Sequence, residues 1–107
     1  MMNVTNFPGL TEYLEHIKAD YANWKTDSPY RDEFIQDFNR TLRVEVGSKY
    51  IKVVAGRSAH SFICLNDMGK FTKGDILKAA SWAAPAKNFV RANTIARKYD
   101  QIRWVGA

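Results

Sequence analysis

His60 and Cys64 are the side chains best suited by type to nucleophilic or metal chemistry. Their spacing works against it. Four residues apart on an extended strand they stand about 13 Å from each other, too far for a hydrogen bond. By simple alternation they share a face with Phe62. Cys64 lies between Ile63 and Leu65, the setting of a buried, slow-reacting thiol. As the single cysteine it excludes a disulfide framework and a cysteine-based zinc site, and it fits a reducing compartment. His16 follows Glu12 and Glu15 on a helical pattern and reads as an exposed helix histidine. Ser58, Ser61 and Ser81 lack a G-x-S-x-G context, and no glycine-rich phosphate loop is present. Asp67 and Asp75 stand in turn clusters, where Asp is expected for backbone reasons, and would form a metal pair only if the fold joined them. The sequence therefore offers no catalytic residue, no metal site and no cofactor, and the expectation is a protein that is not an enzyme.

The basic residues are the second constellation. The 107-residue chain carries a net charge of +5, spread unevenly. Residues 1–46 hold five bases against eight acids, net −3, and residues 47–107 hold eleven against three, net +8. Lys78, Lys87, Arg91, Arg97, Lys98 and Arg103 face one acid, Asp100, and Trp82, Phe89, Tyr99 and Trp104 are interleaved with them. Cations for phosphates and flat faces for bases are what a nucleic-acid binder needs. Asn88 and Asn93 add amides that can meet phosphates or base edges. The expected nucleic-acid-binding residues are Trp82, Lys87, Arg91, Arg97, Lys98 and Arg103. Core packing is the competing role for Trp82 and Trp104, and a plain solvated surface is the competing reading of the charge. No RRM, KH, zinc-finger or helix-turn-helix signature supports the binding reading.

The elements that would position these groups follow from hydrophobic period. Leu10, Tyr13, Leu14, Ile17, Tyr21 and Trp24 mark one helix face, predicting a helix over about 10–25 behind Pro8-Gly9, with Thr11 as cap. Ser28 and Pro29 open a second helix, with Asp32 and Glu33 in its first turn and a stripe of Phe34, Ile35, Phe38 and Leu42. The short link at 25–27 makes the two an αα-hairpin. From Arg43 the period becomes two. Val44 and Val46 lead into a Gly47-Ser48 turn of type II′. Strands follow at 50–55 and 60–65, joined by Gly56-Arg57-Ser58, to give an antiparallel meander. Ile76–Ala80 reads equally as strand or short helix, 88–98 has mixed helical character, and 102–105 reads as a final strand.

The stretch Lys70–Asn93, KFTKGDILKAASWAAPAKNFVRAN, together with Ile102-Arg103-Trp104, resembles a segment of small bacteriophage-encoded proteins of uncharacterised function. Lys73–Leu77, Trp82, Pro85–Lys87 and Arg91 carry the resemblance, and Ala92 stands where a glycine is expected. It covers the last third of the chain and implies a phage origin and a host-cytoplasm setting. It implies no activity, cofactor or catalytic residue.

The expectations are therefore these. Residues 1–107 form a single α+β domain, with a helical hairpin over about 10–42 and a β-rich part over about 43–107. Two N-terminal helices, through Tyr13, Ile17, Trp24, Phe34 and Phe38, cover one face of a mostly antiparallel sheet of four to five strands. The protein is a small basic binder, contacting nucleic acid through its C-terminal region. The alternative is a protein-interaction module that modulates a host protein, and self-association is a third option. No apolar run reaches the roughly 18 residues of a membrane helix, and the N-terminus lacks the pattern of a secretory signal, so a cytoplasmic setting is expected.

Overall fold

The structure, a computed structural model, describes residues 7–24, 29–87, 90–96, 99, 102–104 and 106. It contains two helices, α1 (Leu10–Trp24) and α2 (Arg31–Thr41), followed by five strands, β1 (Leu42–Val46), β2 (Tyr50–Ala55), β3 (Ser58–Cys64), β4 (Asp75–Lys78) and β5 (Ala92–Asn93). The strands form one antiparallel sheet in the order β1-β2-β3-β4-β5. The α+β architecture is the expected one. The 25–27 link and the Ser28 cap lie outside the described residues.

α1 starts one residue before the expected cap. The Gly9 carbonyl accepts from the Tyr13 N–H at 2.9 Å, so Gly9 holds the cap position and Thr11 lies inside the helix. Gly9 has a φ of 77°, and a Cβ there would sit 2.0 Å from the Thr94 carbonyl oxygen, so the position admits only glycine. Leu10, Tyr13, Ile17 and Tyr21 are buried. They join Ile51, Val53, Ile63 and Ile76, which alternate onto one face of the sheet, and Ile102 from the C-terminal segment. Each fully buried aliphatic side chain of this kind contributes about 1.5–3 kcal/mol.

α2 departs from the expectation. It starts at Arg31, behind Tyr30, so Pro29 precedes the cap rather than occupying the first turn. None of its residues is buried. Trp24 and Phe34, expected over the sheet, are 59% and 42% exposed. α2 packs on α1 and on the β1–β2 end of the sheet, and only Phe38 enters the core margin, stacked on Tyr21 at 4.2 Å with parallel rings. α1 supplies the buried helical side chains over the sheet and α2 none, so α2 lies at the edge.

The turns correct two further expectations. Val46 pairs with Ile51 and the Gly47 N–H donates to the Tyr50 carbonyl, which centres the first hairpin on Ser48-Lys49. Gly47 does not take the positive φ that a type II′ turn would need. The second hairpin turns tightly at Gly56-Arg57, with Gly56 at a φ of 63°. Ile76–Lys78, open between helix and strand, is strand, with Ile76 opposite Ile63 and Leu77 opposite Phe62. The described part of 88–98 is not helical. Ala92 and Asn93 form the short β5 against Asp75 and Ile76, and a turn follows. Ala92 thus serves as an ordinary strand residue. The final strand is also absent among the described residues: 102–106 shows one isolated bridge, Arg103 to Gly106.

β3 holds an irregularity the sequence did not signal. Val53 pairs with Ser61 and Val54 with Ala59, leaving His60 as the extra residue of a β-bulge. The bulge turns His60 to the α1 side of the sheet, beside Ser61, and away from Phe62 and Cys64. Cys64 packs with Phe71 and Leu77 on the other face. The expected common face for His60 and Cys64 is therefore lost.

Candidate nucleic-acid interface

Below Lys78 the chain leaves β4 in a short excursion. Ala79 bridges Pro85, the Ala80 and Ser81 N–H groups donate to the Ala84 carbonyl, and the Ala86 N–H returns to the Lys78 carbonyl at 2.7 Å. Trp82 sits in the excursion and is 46% exposed. Its indole reaches across the sheet to β2, where the Lys52 Nζ lies 3.9 Å from the ring centroid. Lys52 alternates with Ile51 and Val53, so this contact is on the sheet face opposite α1. Glu45, directly across the ladder from Lys52, pairs with Lys52 at 3.6 Å and with Arg43 at 3.5 Å. Two hollows flank the contact. One, of about 330 Å³, is lined by Val46, Lys49, Tyr50, Lys52, Phe62 and Ala83 among others. The other, of about 270 Å³, lies between Arg57–Ala59 and Ala79–Trp82. Lys49 and Arg57 are exposed at their rims.

The expected binding residues do not converge on one surface. Trp82 lies on this outer face, and Lys87 is exposed on the return arm of the excursion. Arg91 is half-buried, its N–H donating to the Ile76 carbonyl beside β4. Arg103 is on the α1 side, 3.6 Å from Asp20, whose second oxygen accepts the Trp104 N–H at 2.9 Å. Arg103 and Trp82 are thus separated by the sheet. Arg97 and Lys98, with Asn88 and Phe89, lie outside the described residues. Trp104 is half-buried in an aromatic cluster, edge-on to Tyr21 at 5.0 Å and 4.8 Å from Trp24. Of the two tryptophans weighed as core, Trp104 is packed and Trp82 is open. Sequence reasoning missed Lys49, Lys52 and Arg57, because their nearness to Trp82 depends on how the 79–85 excursion folds over β2.

A second polar constellation is internal. The Tyr13 hydroxyl is 2.6 Å from Ser61 Oγ, Ser61 Oγ is 2.9 Å from His60 Nδ1, and His60 Nε2 is 2.7 Å from the Arg103 carbonyl oxygen. A carbonyl can only accept, so Nε2 carries the proton and Nδ1 accepts from Ser61. Ser61 in turn accepts from Tyr13. Burial holds the His60 imidazole below its ordinary range; the Arg103 carbonyl opposes this and His16 adds to it. Burial likewise pushes the Tyr13 phenol upward, opposed by the Ser61 bond. A serine hydroxyl bonded to a histidine has nucleophile geometry. Ser61 is fully buried, however, and both of its hydrogen-bonding directions are used, so the chain ties α1, β3 and the C-terminal segment together. His16 does the same, its Nε2 donating to the Ile102 carbonyl at 3.1 Å. It is half-buried rather than the exposed helix histidine expected.

Asp67 lies in the loop after β3, whereas Asp75, expected in a turn, is the first residue of β4. Asp67 accepts from the Lys73 N–H, and Asp75 from the Thr72 N–H and the Asn93 amide. Among the described residues no cluster of three His, Cys, Asp or Glu could hold a metal ion, and no helix is long and apolar enough to cross a membrane.

No curated protein and no solved structure matches the chain. A family match spans residues 4–106, nearly the whole chain rather than its last third, so the protein belongs to the family of unknown function DUF7717.

Proposed function

We propose that the protein is a small nucleic-acid-binding protein, not an enzyme, that contacts its target through the sheet face opposite α1. One observation carries this reading: an exposed tryptophan and a lysine held together across two elements, Trp82 over Lys52, with Lys49 and Arg57 on the hollows that flank them and Lys87 exposed on the return arm. Cations there neutralise phosphates and the indole offers a stacking surface. The net charge of +8 over residues 47–107 draws polyanions to this half of the molecule. The likeness of Lys70–Asn93 to phage proteins supports an accessory role in a phage-infected cell, in the host cytoplasm.

Salt dependence tests the reading. Binding of a fluorescein-labelled oligonucleotide should weaken with a log–log slope of about −0.7 per phosphate contact on a single strand, or −0.9 on a duplex. Lys49→Glu with Lys87→Glu should weaken binding to all sequences and flatten the slope by about two contacts. Absence of binding at low salt removes the proposal.

A protein partner is the second reading, favoured by Trp24, Tyr30 and Phe34, which leave 59%, 60% and 42% of their surface open at the helical end. Capture from host lysate with and without nuclease separates the two. A stoichiometric, nuclease-resistant protein that is lost on Phe34→Ala supports this alternative.

A further inference from the structure

Resting on the nucleic-acid reading, we infer that the outer sheet face is a site for unpaired nucleotides of a single strand, with a base stacked on Trp82. A duplex is read by an element that enters a groove, usually an α-helix. Here both helices are the wrong element. α1 carries Glu12, Glu15 and Asp20 against Lys18, and α2 carries Asp32, Glu33 and Asp37 against Arg31 and Arg40. Phosphates on either side of a groove would repel them. The basic groups lie instead around a short excursion on a sheet, whose only large projecting side chain is an indole.

An indole binds a base by its face, and in a duplex the base faces are hidden in the stack. The hollows beside Trp82 have the scale of single bases. At about 330 and 270 Å³ they fall on either side of the lower bound of the roughly 300–1,000 Å³ range of small-molecule pockets. Each has an exposed cation at its rim, Lys49 for one, whose lining also includes the Lys52-paired Glu45, and Arg57 for the other, where a strand's backbone would pass. Lys52 lies 3.9 Å from the indole centroid, and the 46% of Trp82 that stays exposed is what a flat ligand would meet. The buried foundation of the site, Phe62 and Leu77 beneath the excursion, keeps the platform rigid.

The test uses the full chain and its Trp82→Ala and Trp82→Phe variants. Fluorescence polarisation would follow labelled oligo-dT, oligo-U and a blunt duplex at low salt, with circular dichroism confirming the fold of each variant. Single strands should bind more tightly than the duplex. Trp82→Ala should weaken single-strand binding by about 5- to 150-fold, the equivalent of one stacked base. Trp82→Phe should recover most of that loss, and any residual duplex binding should stay within about twofold. Equal or tighter duplex binding, or a Trp82→Ala variant with unchanged single-strand affinity, overturns this inference and leaves the broader reading standing. Failure of all three probes to bind removes both.

Discussion

Lowering the pH should destabilise the protein through His60, and the size of the effect follows from the buried chain Tyr13–Ser61–His60–Arg103. In the folded state Nδ1 must accept and Nε2 must donate. A second proton on His60 would force Ser61 to accept from Nδ1, donate to Tyr13, and strand the Tyr13 proton. Among the described residues, the groups facing the imidazole offer no counter-charge. They are the Tyr13 phenol and His16 from α1, Ser61 from β3, and the Arg103 carbonyl from the C-terminal segment. The folded pKa is depressed below the ordinary value of about 6.5, so the unfolded chain binds the proton first. Stability is therefore fully present above about pH 6.5 and is lost as the pH falls toward the folded pKa. Each pH unit over which the unfolded chain carries the proton and the folded chain does not costs about 1.4 kcal/mol. In a domain of this size that is a fall of roughly 5–10 °C in Tm. The comparison is His60→Gln, which keeps a donor and an acceptor but does not titrate. Urea or thermal unfolding of both proteins across that window isolates His60, since His16 and the carboxylates are common to both. Equal losses in the two proteins would refute the account of the buried chain.

Other expectations concern single contacts. Tyr13→Phe removes one neutral hydrogen bond while Ser61 keeps its bond to His60, and chemical denaturation should show a loss of about 0.5–1.5 kcal/mol. Gly9→Ala places a Cβ against the Thr94 carbonyl in a left-handed backbone. Strain of about 1–2 kcal/mol and overpacking of about 1–3 kcal/mol should lower the unfolding midpoint sharply or prevent folding. Asp20→Ala takes the acceptor from the Trp104 N–H and the partner from Arg103. It should cost about 1.5–3 kcal/mol and alter the fluorescence of the Trp24–Trp104 cluster. Cys64 is fully buried and its thiol is pushed up to about 11. Alkylation by iodoacetamide at pH 8 should proceed only at the rate of unfolding and become fast in denaturant.

The sequence determined the elements with a strong local signal. The 3.6-residue period from Leu10 to Tyr21 placed α1, and the alternation of Arg43–Val46 with glycine punctuation placed the meander, although Leu42, expected in the α2 stripe, opens β1. The polarity of the chain, acidic helices before a basic sheet, was likewise readable from composition, because charge adds without reference to contacts. The tail could not be read this way. Ile76–Leu77 is a buried apolar run, and such a run is ambiguous until its neighbours, β3 on one side and β5 on the other, supply hydrogen bonds. Trp24 and Trp82 show the same limit for side chains: each sits in an apolar-looking pattern, yet neither is buried, because burial depends on what the rest of the chain places above it. The bulge at His60 is the clearest case. One unpaired residue in β3 reverses the face on which His60 stands, turning an apparent partner of Cys64 into the centre of a buried chain with Tyr13 and Ser61. Alternation along a strand is a local rule. Which residue escapes the ladder is decided by the register of β2 against β3 and by the α1 hydroxyl that waits on the far side, and only the assembled tertiary structure contains both.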